Sequence, residues 1–269
     1  MERAEYIRMS ELEGRHWWYV GLHGIVENFL KSALEGRPGP FRILDAGCGT
    51  GGLLCRLAGH GRAFGVDFSD DALSLARQKV VTPLVRGTVG QGRLKAELQP
   101  PSPLVRGSVT SLPFKDETFD AVTSMDVLYH LGVADDAAAL REMSRVLRPG
   151  GVLLVNLPAF EFLRSAHDAV IHTRHRYTRR EIKRKLAEAG LVVQRATYWN
   201  TTLFPALALV RLMRKGSGGE TAESDLRPVA RWPNATLLAL IRAEAWLLRR
   251  VSLIFGLSIF CVATRPVGR

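Results

Sequence analysis

The sequence predicts an α/β fold, a doubly wound and mostly parallel sheet, and three observations predict it. Strand-like apolar runs alternate with helical patterns from residue 41 to residue 198, the order that builds βα units. The run Ile43-Leu44-Asp45-Ala46 passes directly into Gly47-Cys48-Gly49-Thr50-Gly51-Gly52 and then into a helical pattern, which sets a glycine turn between a strand and a helix. The amphipathic stretch 134–147, stopped by Pro149-Gly150-Gly151, feeds the apolar run 152–156, which reads as a buried strand. With 269 residues, 46% of them apolar, the chain has material for one such domain carrying an elaborated cap.

In chain order, the aromatic segment His16-Trp17-Trp18-Tyr19 leads into a helix expected over 22–33, broken by the Gly/Pro stretch 36–40. Residues 41–46 are the first strand and 51–58 the helix after the glycine turn. Residues 63–66 form the second strand. Ser69 caps the next helix, which carries Asp70 and Asp71 in its first turn, where acidic groups complement the helix dipole, and runs to Lys79. A strand over 119–125 precedes the 134–147 helix. Thr178, with Glu181 three positions on, makes a capping box for a helix ending near Gly190. Residues 191–198 and 254–263 are the last strands, the final one expected antiparallel beside its neighbour.

Two features interrupt the alternation. Pro83-Leu84-Val85-Arg86-Gly87-Thr88-Val89 recurs as Pro103-Leu104-Val105-Arg106-Gly107-Ser108-Val109. A single recurrence falls short of the roughly three repeats that a solenoid needs. The second copy takes the strand position because Leu112-Pro113-Phe114 follows it. Residues 82–101 are expected to form an exposed loop dispensable for the fold, since closure entropy grows slowly with loop length. The second interruption, 200–253, holds two apolar helical patterns joined by the polar linker 216–225. The expected organisation is a helical lid over 1–40, a core over 41–199 and 254–269, and a helical cap over 200–253. Its helices, 202–213 and 237–248, are expected above the ligand edge of the sheet.

Composition narrows the classes. The net charge of +11 raises nucleic acid, anionic membrane and acidic ligands as partners. Cys48, Cys55 and Cys261 show no CxxC spacing, so reduced thiols and no zinc are expected. Residues 1–10 lack an apolar signal core, and no uncharged apolar run of about eighteen residues occurs, so a cytoplasmic protein without a membrane span is expected.

The glycine turn leaves two cofactors open. Gly47, Gly49 and Gly52 satisfy the GxGxxG pattern of dinucleotide enzymes, and Asp67 at the end of the second strand suits a ribose diol in either case. The motifs further on separate them. Together with the turn, Val66-Asp67-Phe68-Ser69, Ser111-Leu112-Pro113-Phe114, Thr118-Phe119-Asp120-Ala121-Val122 and Arg145-Val146-Leu147-Arg148-Pro149-Gly150-Gly151 occur in order over 45–155. In this the chain resembles the class I S-adenosylmethionine-dependent methyltransferases, particularly the branch that includes ubiquinone and menaquinone biosynthesis enzymes. The resemblance implies a seven-stranded, Rossmann-like sheet with an antiparallel last strand, S-adenosylmethionine as cofactor, and methylation of oxygen, nitrogen or carbon in a small, apolar or aromatic acceptor.

The resemblance also implies roles. Asp45, Gly47, Cys48 and Gly49 would surround the methionine moiety, Asp67 would hold the ribose diol and Phe68 would pack on adenine. Ser108 and Val109 would lie at the adenine edge, and Ser124 and Met125 would offer backbone to the methionine amino group. The family often carries aspartate where Ser108 stands. Many relatives also carry an arginine shortly after an HWWY-like segment; here Gly21-Leu22-His23 occupies that region, so no carboxylate clamp is assigned.

An acceptor hydroxyl needs a base, commonly histidine. His130, in Asp126-Val127-Leu128-Tyr129-His130, follows the fourth strand at the carboxyl edge, where ligands bind in such folds. It reads either as that base or as a residue shaping the pocket. His167-Asp168, His172, Arg174, His175, Arg176 and Tyr177 form a second polar cluster in the loop after the fifth strand. From it His167 and His175 are further candidate bases, and His172, Arg176 and Tyr177, with Tyr129 and Trp17, are candidate substrate contacts. The intervening arginines oppose a cation, so no metal is expected. Trp17 and Trp18 read either as helix packing or as a lid. The expected partner is a small-molecule acceptor. Nucleic acid is not expected, because no appended RNA-binding module accompanies the scattered basic residues. Peripheral membrane contact through the insertion is a second reading, and the oligomeric state is left open. The rival functions are an RNA methyltransferase and a non-catalytic cofactor-binding scaffold or regulatory protein.

Overall fold

The computed structural model describes residues 2–86, 103–215 and 228–267, the side chains of 81–86, 166–167 and 210–215 excepted. Its strands are β1 (Arg42–Ala46), β2 (Arg62–Asp67), β3 (Leu104–Arg106), β4 (Phe119–Met125), β5 (Leu147–Pro158), β6 (Val192–Trp199) and β7 (Ser258–Thr264). They form one sheet in the order β3-β2-β1-β4-β5-β7-β6. β1 to β5 pair in parallel, whereas β7 enters between β5 and β6 and is antiparallel to both. Chain direction across the sheet reverses between β1 and β4, so the loops leaving their carboxyl ends diverge and open a crevice there.

The helices are α1 (Arg3–Leu12), α2 (Trp17–Leu34), α3 (Gly52–Leu57), α4 (Asp70–Arg86), α5 (Asp136–Val146), α6 (Ala166–Val170), α7 (Arg179–Glu188), α8 (Phe204–Lys215) and α9 (Arg231–Leu248). Alternate residues of the buried strands feed two cores. Ile43, Ala121, Leu154 and Phe260 meet α2, α3 and α9 on one face. Leu44, Val122, Leu153 and Cys261 meet α5 and α7 on the other. This is the doubly wound arrangement the alternation predicts.

The elements differ from expectation in ways that have local causes. α2 begins at Trp17 rather than 22, because His16 caps it: its Nδ1 accepts from Trp18 N at 3.4 Å. α4 continues past Lys79 to Arg86, so the first residues of the expected 82–101 loop are helical; 87–101 lie outside the described residues. Thr178 does cap α7, its Oγ1 accepting from Glu181 N at 3.3 Å, but the Glu181 carboxylate turns away to His175 and leaves the box half made.

The insertion is anchored at the carboxyl edge. Glu244 of α9 accepts from Thr201 N at 3.1 Å and from the Thr202 hydroxyl at 3.3 Å, just beyond the end of β6. Asn234 joins the start of α9 to that of α2, accepting from Trp17 N at 2.9 Å and donating to Arg15 O at 3.0 Å. Gly21 lets the two helices close up, since a Cβ there would lie 2.4 Å from Ile241 Cγ2. Ile241, Ala245 and Leu248 thereby join the core beneath α2. At the same edge α8 starts from Phe204, which packs against Phe160 and Phe255.

Candidate active site

The glycine turn follows β1 with Gly47 at φ +85° and Gly51 at φ +84°, conformations that disfavour any side chain. At Gly47 there is also no room, since a Cβ would lie 2.3 Å from Val127 Cγ2. The segment after β4 is thus pressed directly onto the turn. Asp45 is buried and accepts from the Thr123 hydroxyl at 2.7 Å; burial above all pushes its carboxyl up to about 7. Asp67 ends β2 and locks the turn, Oδ2 accepting from Gly49 N and Oδ1 from Ser69 N, each at 2.9 Å. Each oxygen keeps lone-pair capacity for a further donor. Burial raises its pKa against those two bonds. The Cys48 thiol is pushed up by burial and then by Asp45 and Asp67, so it stays protonated.

The start of α3 does not wait for an outside anion. Glu13, immediately after α1, accepts from Gly52 N at 3.1 Å and from the Thr50 hydroxyl at 2.8 Å. It also pairs with the Lys79 ammonium, which donates to Ser10 O at 2.8 Å. The protein's own carboxylate therefore caps a helix start of the kind that otherwise attracts a ligand carboxylate or phosphate. A pyrophosphate seated on that helix end would have to displace it. α1 covers the turn from above, with the Met9 methyl over Gly49.

Beyond β4 stands Asp126, at φ +59°, a sparsely populated conformation for a residue with a side chain. Asn156 Nδ2 lies 3.0 Å from both of its oxygens, and Asn156 Oδ1 in turn accepts from Trp199 Nε1 at 2.7 Å. Burial pushes the Asp126 carboxyl up to about 7, opposed by the Asn156 bond and by the charge of Arg176. Tyr19 and Tyr129 both lie within its field, and burial raises the pKa of each hydroxyl.

His130 has a different disposition from the expected base. Its Nδ1 accepts from Gly132 N at 3.0 Å, and burial is the first cause that lowers its pKa to about 4. The neutral ring therefore carries its proton on Nε2 and donates there rather than accepts. It neighbours Phe68 and His172, with ring centroids 6.1 Å and 5.7 Å away.

The loop after β5 is stitched to the segment after β4: Leu131 N donates to His172 O at 2.8 Å and Arg174 N to Tyr129 O at 2.7 Å. Several expected site residues make bonds within this scaffold. His175 Nε2 lies 2.9 Å from Glu181 Oε1. Arg176 is buried, Nε donating to Asp168 Oδ1 at 2.8 Å and a terminal nitrogen to Ala159 O at 2.9 Å. Tyr177 is fully buried, its hydroxyl 2.6 Å from Asp136 Oδ2. Each of the three thus engages an acid of the fold: His175 with Glu181 through Nε2, Arg176 with Asp168 and Tyr177 with Asp136. The side chain of His167 lies outside the described ones.

The other expected residues lie along the same edge. Phe68 is 51% exposed beside Asp67. Ser108 is exposed with its Oγ 2.7 Å from Thr110 Oγ1, and Val109 is buried. Ser124 is buried with no partner for its hydroxyl among the described residues, and Met125 is partly buried. Trp17 is half-buried in the first turn of α2. Among the described residues no three His, Cys, Asp or Glu side chains are grouped to hold a metal. None of Asp126, Tyr19 and Glu13 is among the site residues expected from sequence. An acid directly after a strand that ends at the ligand edge was a usable signal for Asp126; nothing local marks Glu13.

This sheet order, with Asp45 near the end of β1 and Asp67 at the end of β2 around a glycine turn, is a Rossmann-like arrangement. Residues 44–155 match the family described as methyltransferase domain. The chain is 35% identical over 173 residues to the ubiquinone/menaquinone biosynthesis C-methyltransferase of Cronobacter sakazakii, covering 62% of this chain and 61% of that protein. It spans 54% of the Vibrio vulnificus relative of the same name, so such relatives are matched over little more than half their length. Among solved structures, a chain of the complex between the Haloferax volcanii Trm112 methyltransferase activator and a methyltransferase aligns with TM-score 0.58 at 21% identity, over 99% of this chain and 96% of that one. The [4+2]-cyclase SpnF aligns with TM-score 0.55 at 20% identity, over 90% and 81%. These two likenesses concern the fold. No described helix is long and apolar enough to cross a membrane.

Proposed function

We propose that the chain transfers a methyl group from S-adenosylmethionine to a small, apolar or aromatic acceptor bound at the carboxyl end of β4. The observation that carries this reading is a carboxylate, Asp126, to which no cation is bonded among the described residues, set beside the glycine turn and near two tyrosine hydroxyls. The residues fit the cofactor. Asp67 presents both oxygens in a fixed orientation suited to a vicinal diol, exposed Phe68 offers a face to adenine, and the self-capped start of α3 suits a cofactor without phosphate. Ser108 and Val109 would border the adenine, and Asp45, Cys48, Gly49, Ser124 and Met125 the methionine end. When bound, the cofactor supplies an electrophilic methyl on sulfur.

The protein's work is alignment and control of one proton. Asn156, itself held by Trp199, fixes Asp126 so that its carboxylate can accept a proton from an acceptor hydroxyl. Tyr19 and Tyr129 exclude water around it, and His130, as a donor from Nε2, orients rather than deprotonates. The name of the Cronobacter and Vibrio relatives supports an aromatic acceptor.

Formation of S-adenosylhomocysteine with a panel of phenols and quinols tests the reading. Acceptor-dependent product is expected; tight cofactor binding with no product from any acceptor would make the chain a binding protein, and the [4+2]-cyclase on this fold shows why turnover must be read directly. For the cofactor itself, Asp67→Ala should weaken binding by about 1.5–3 kcal/mol for each charge-assisted bond lost. Calorimetry showing unchanged affinity in a folded variant would remove Asp67 from the ribose site.

A further inference from the structure

The outer face of α9 carries a pattern that its packing role does not use. Its inner side, Ile241, Glu244, Ala245 and Leu248, is buried. Outward it shows Trp232, Ala239, Leu240, Ala243, Trp246 and Leu247, at spacings that return to one face of a helix. Trp232 is 86% exposed and Trp246 57%. Arg231, Arg242 and Arg249 are exposed too, and their separations of three turns and two turns align them along one border of that apolar strip. Arg250 lies over the Trp246 ring at 4.2 Å, which leaves the indole edge facing outward. Glu244, the one acidic residue of the helix, points inward and is engaged by Thr201 and Thr202.

An exposed apolar strip with a cationic border and no exposed acid among the described residues of the helix has a narrow set of partners. A second copy docked helix to helix would bring arginines near arginines with no acid on the helix to neutralise them. A solvated helix has no need of two exposed tryptophans. Tryptophan at the level of lipid headgroups, with arginines reaching anionic phosphates, satisfies every exposed group at once. We propose that the outer face of α9 docks the protein peripherally onto an anionic phospholipid surface. The helix would lie in the plane of the membrane while its buried side stays against α2. The chain's net charge of +11 adds attraction from a distance. This docking does not depend on the methyl-transfer reading, because it engages no group at the glycine turn.

Flotation of the full chain with vesicles of phosphatidylcholine alone, or of phosphatidylcholine mixed with phosphatidylglycerol, tests it. Binding to the mixed vesicles and not to the neutral ones is expected. Removing three arginines as R231S/R242S/R249S should weaken it on the order of a hundredfold. Trp232→Ser with Trp246→Ser should abolish the binding that survives raised salt, since that part rests on buried apolar area. All five positions are exposed, so the variants should melt with the wild type, and their melting curves establish that they are folded. Failure of the wild type to float with anionic vesicles, or equal flotation of the folded variants, overturns the proposal. So does a concentration-dependent dimer lost in Trp232→Ser/Trp246→Ser, or RNA binding with the same arginine dependence in a protein that ignores vesicles.

Discussion

Asp126→Asn should lower kcat by about 10²–10⁴-fold for a hydroxyl acceptor, the range that a positioned base contributes. The substitution keeps shape and the Asn156 contact through its amide oxygen, so cofactor affinity should hold. The pH profile makes the expectation specific. The carboxyl, held at about 7 by burial, serves as base only when ionised, so wild-type kcat/KM should rise through about pH 7 and then level. The Asn variant should lack that limb. Stability runs the other way. A carboxyl whose folded pKa exceeds its unfolded value binds its proton more tightly when folded. The stability it lends is present in acid and is lost as pH rises through about 7. The Asn variant should be spared that loss, so above neutrality it should be at least as stable as the wild type while nearly inactive. Full activity in the folded variant would dismiss Asp126 as the base.

Arg176→Met should destabilise the fold by about 3–5 kcal/mol, because it removes the buried guanidinium paired with the buried Asp168 carboxylate. For a chain of this size that corresponds to a fall in melting temperature of about 10 °C. Both side chains are buried, so salt should not rescue the variant. A melting temperature within about 2 °C of wild type would instead place Arg176 at a tolerant position and reopen its reading as a substrate contact.

How legible all this is from sequence depends on whether the deciding contacts are local. β1, the glycine turn and α3 were legible because a strand, three glycines and a helix follow one another in the chain. So was the antiparallel β7 next to β6. The extent of α4 was not, because Pro83 reads as a breaker yet is accommodated in the last turn of the helix. α1 was not legible either: its sequence is polar, and what fixes it is tertiary, with only Glu5, Tyr6 and Leu12 buried. The site divided along the same line. Asp67 is recognisable because its partners, Gly49 and Ser69, belong to neighbouring motifs. His175, Arg176 and Tyr177 looked available because residue type suggests chemistry, whereas Glu181, Asp168 and Asp136, which occupy them, are identifiable only once the loop has folded back. His130 illustrates a finer limit: its suitability as a base turns on one backbone N–H, that of Gly132, which no residue type reveals.

Glu13 shows that the borders of a recognisable domain and of a working one need not coincide. The family match starts at residue 44, but the counter-charge for the start of α3 and for Lys79 arrives from upstream of it. A chimera that kept residues 44–155 and exchanged the amino terminus would inherit a Gly52 N–H and a Thr50 hydroxyl without their acceptor, and an unneutralised ammonium. Inorganic phosphate would then compete for that place. Sensitivity to the buffer anion would be the mark of the missing segment, and its wild-type counterpart is a turn already saturated from within.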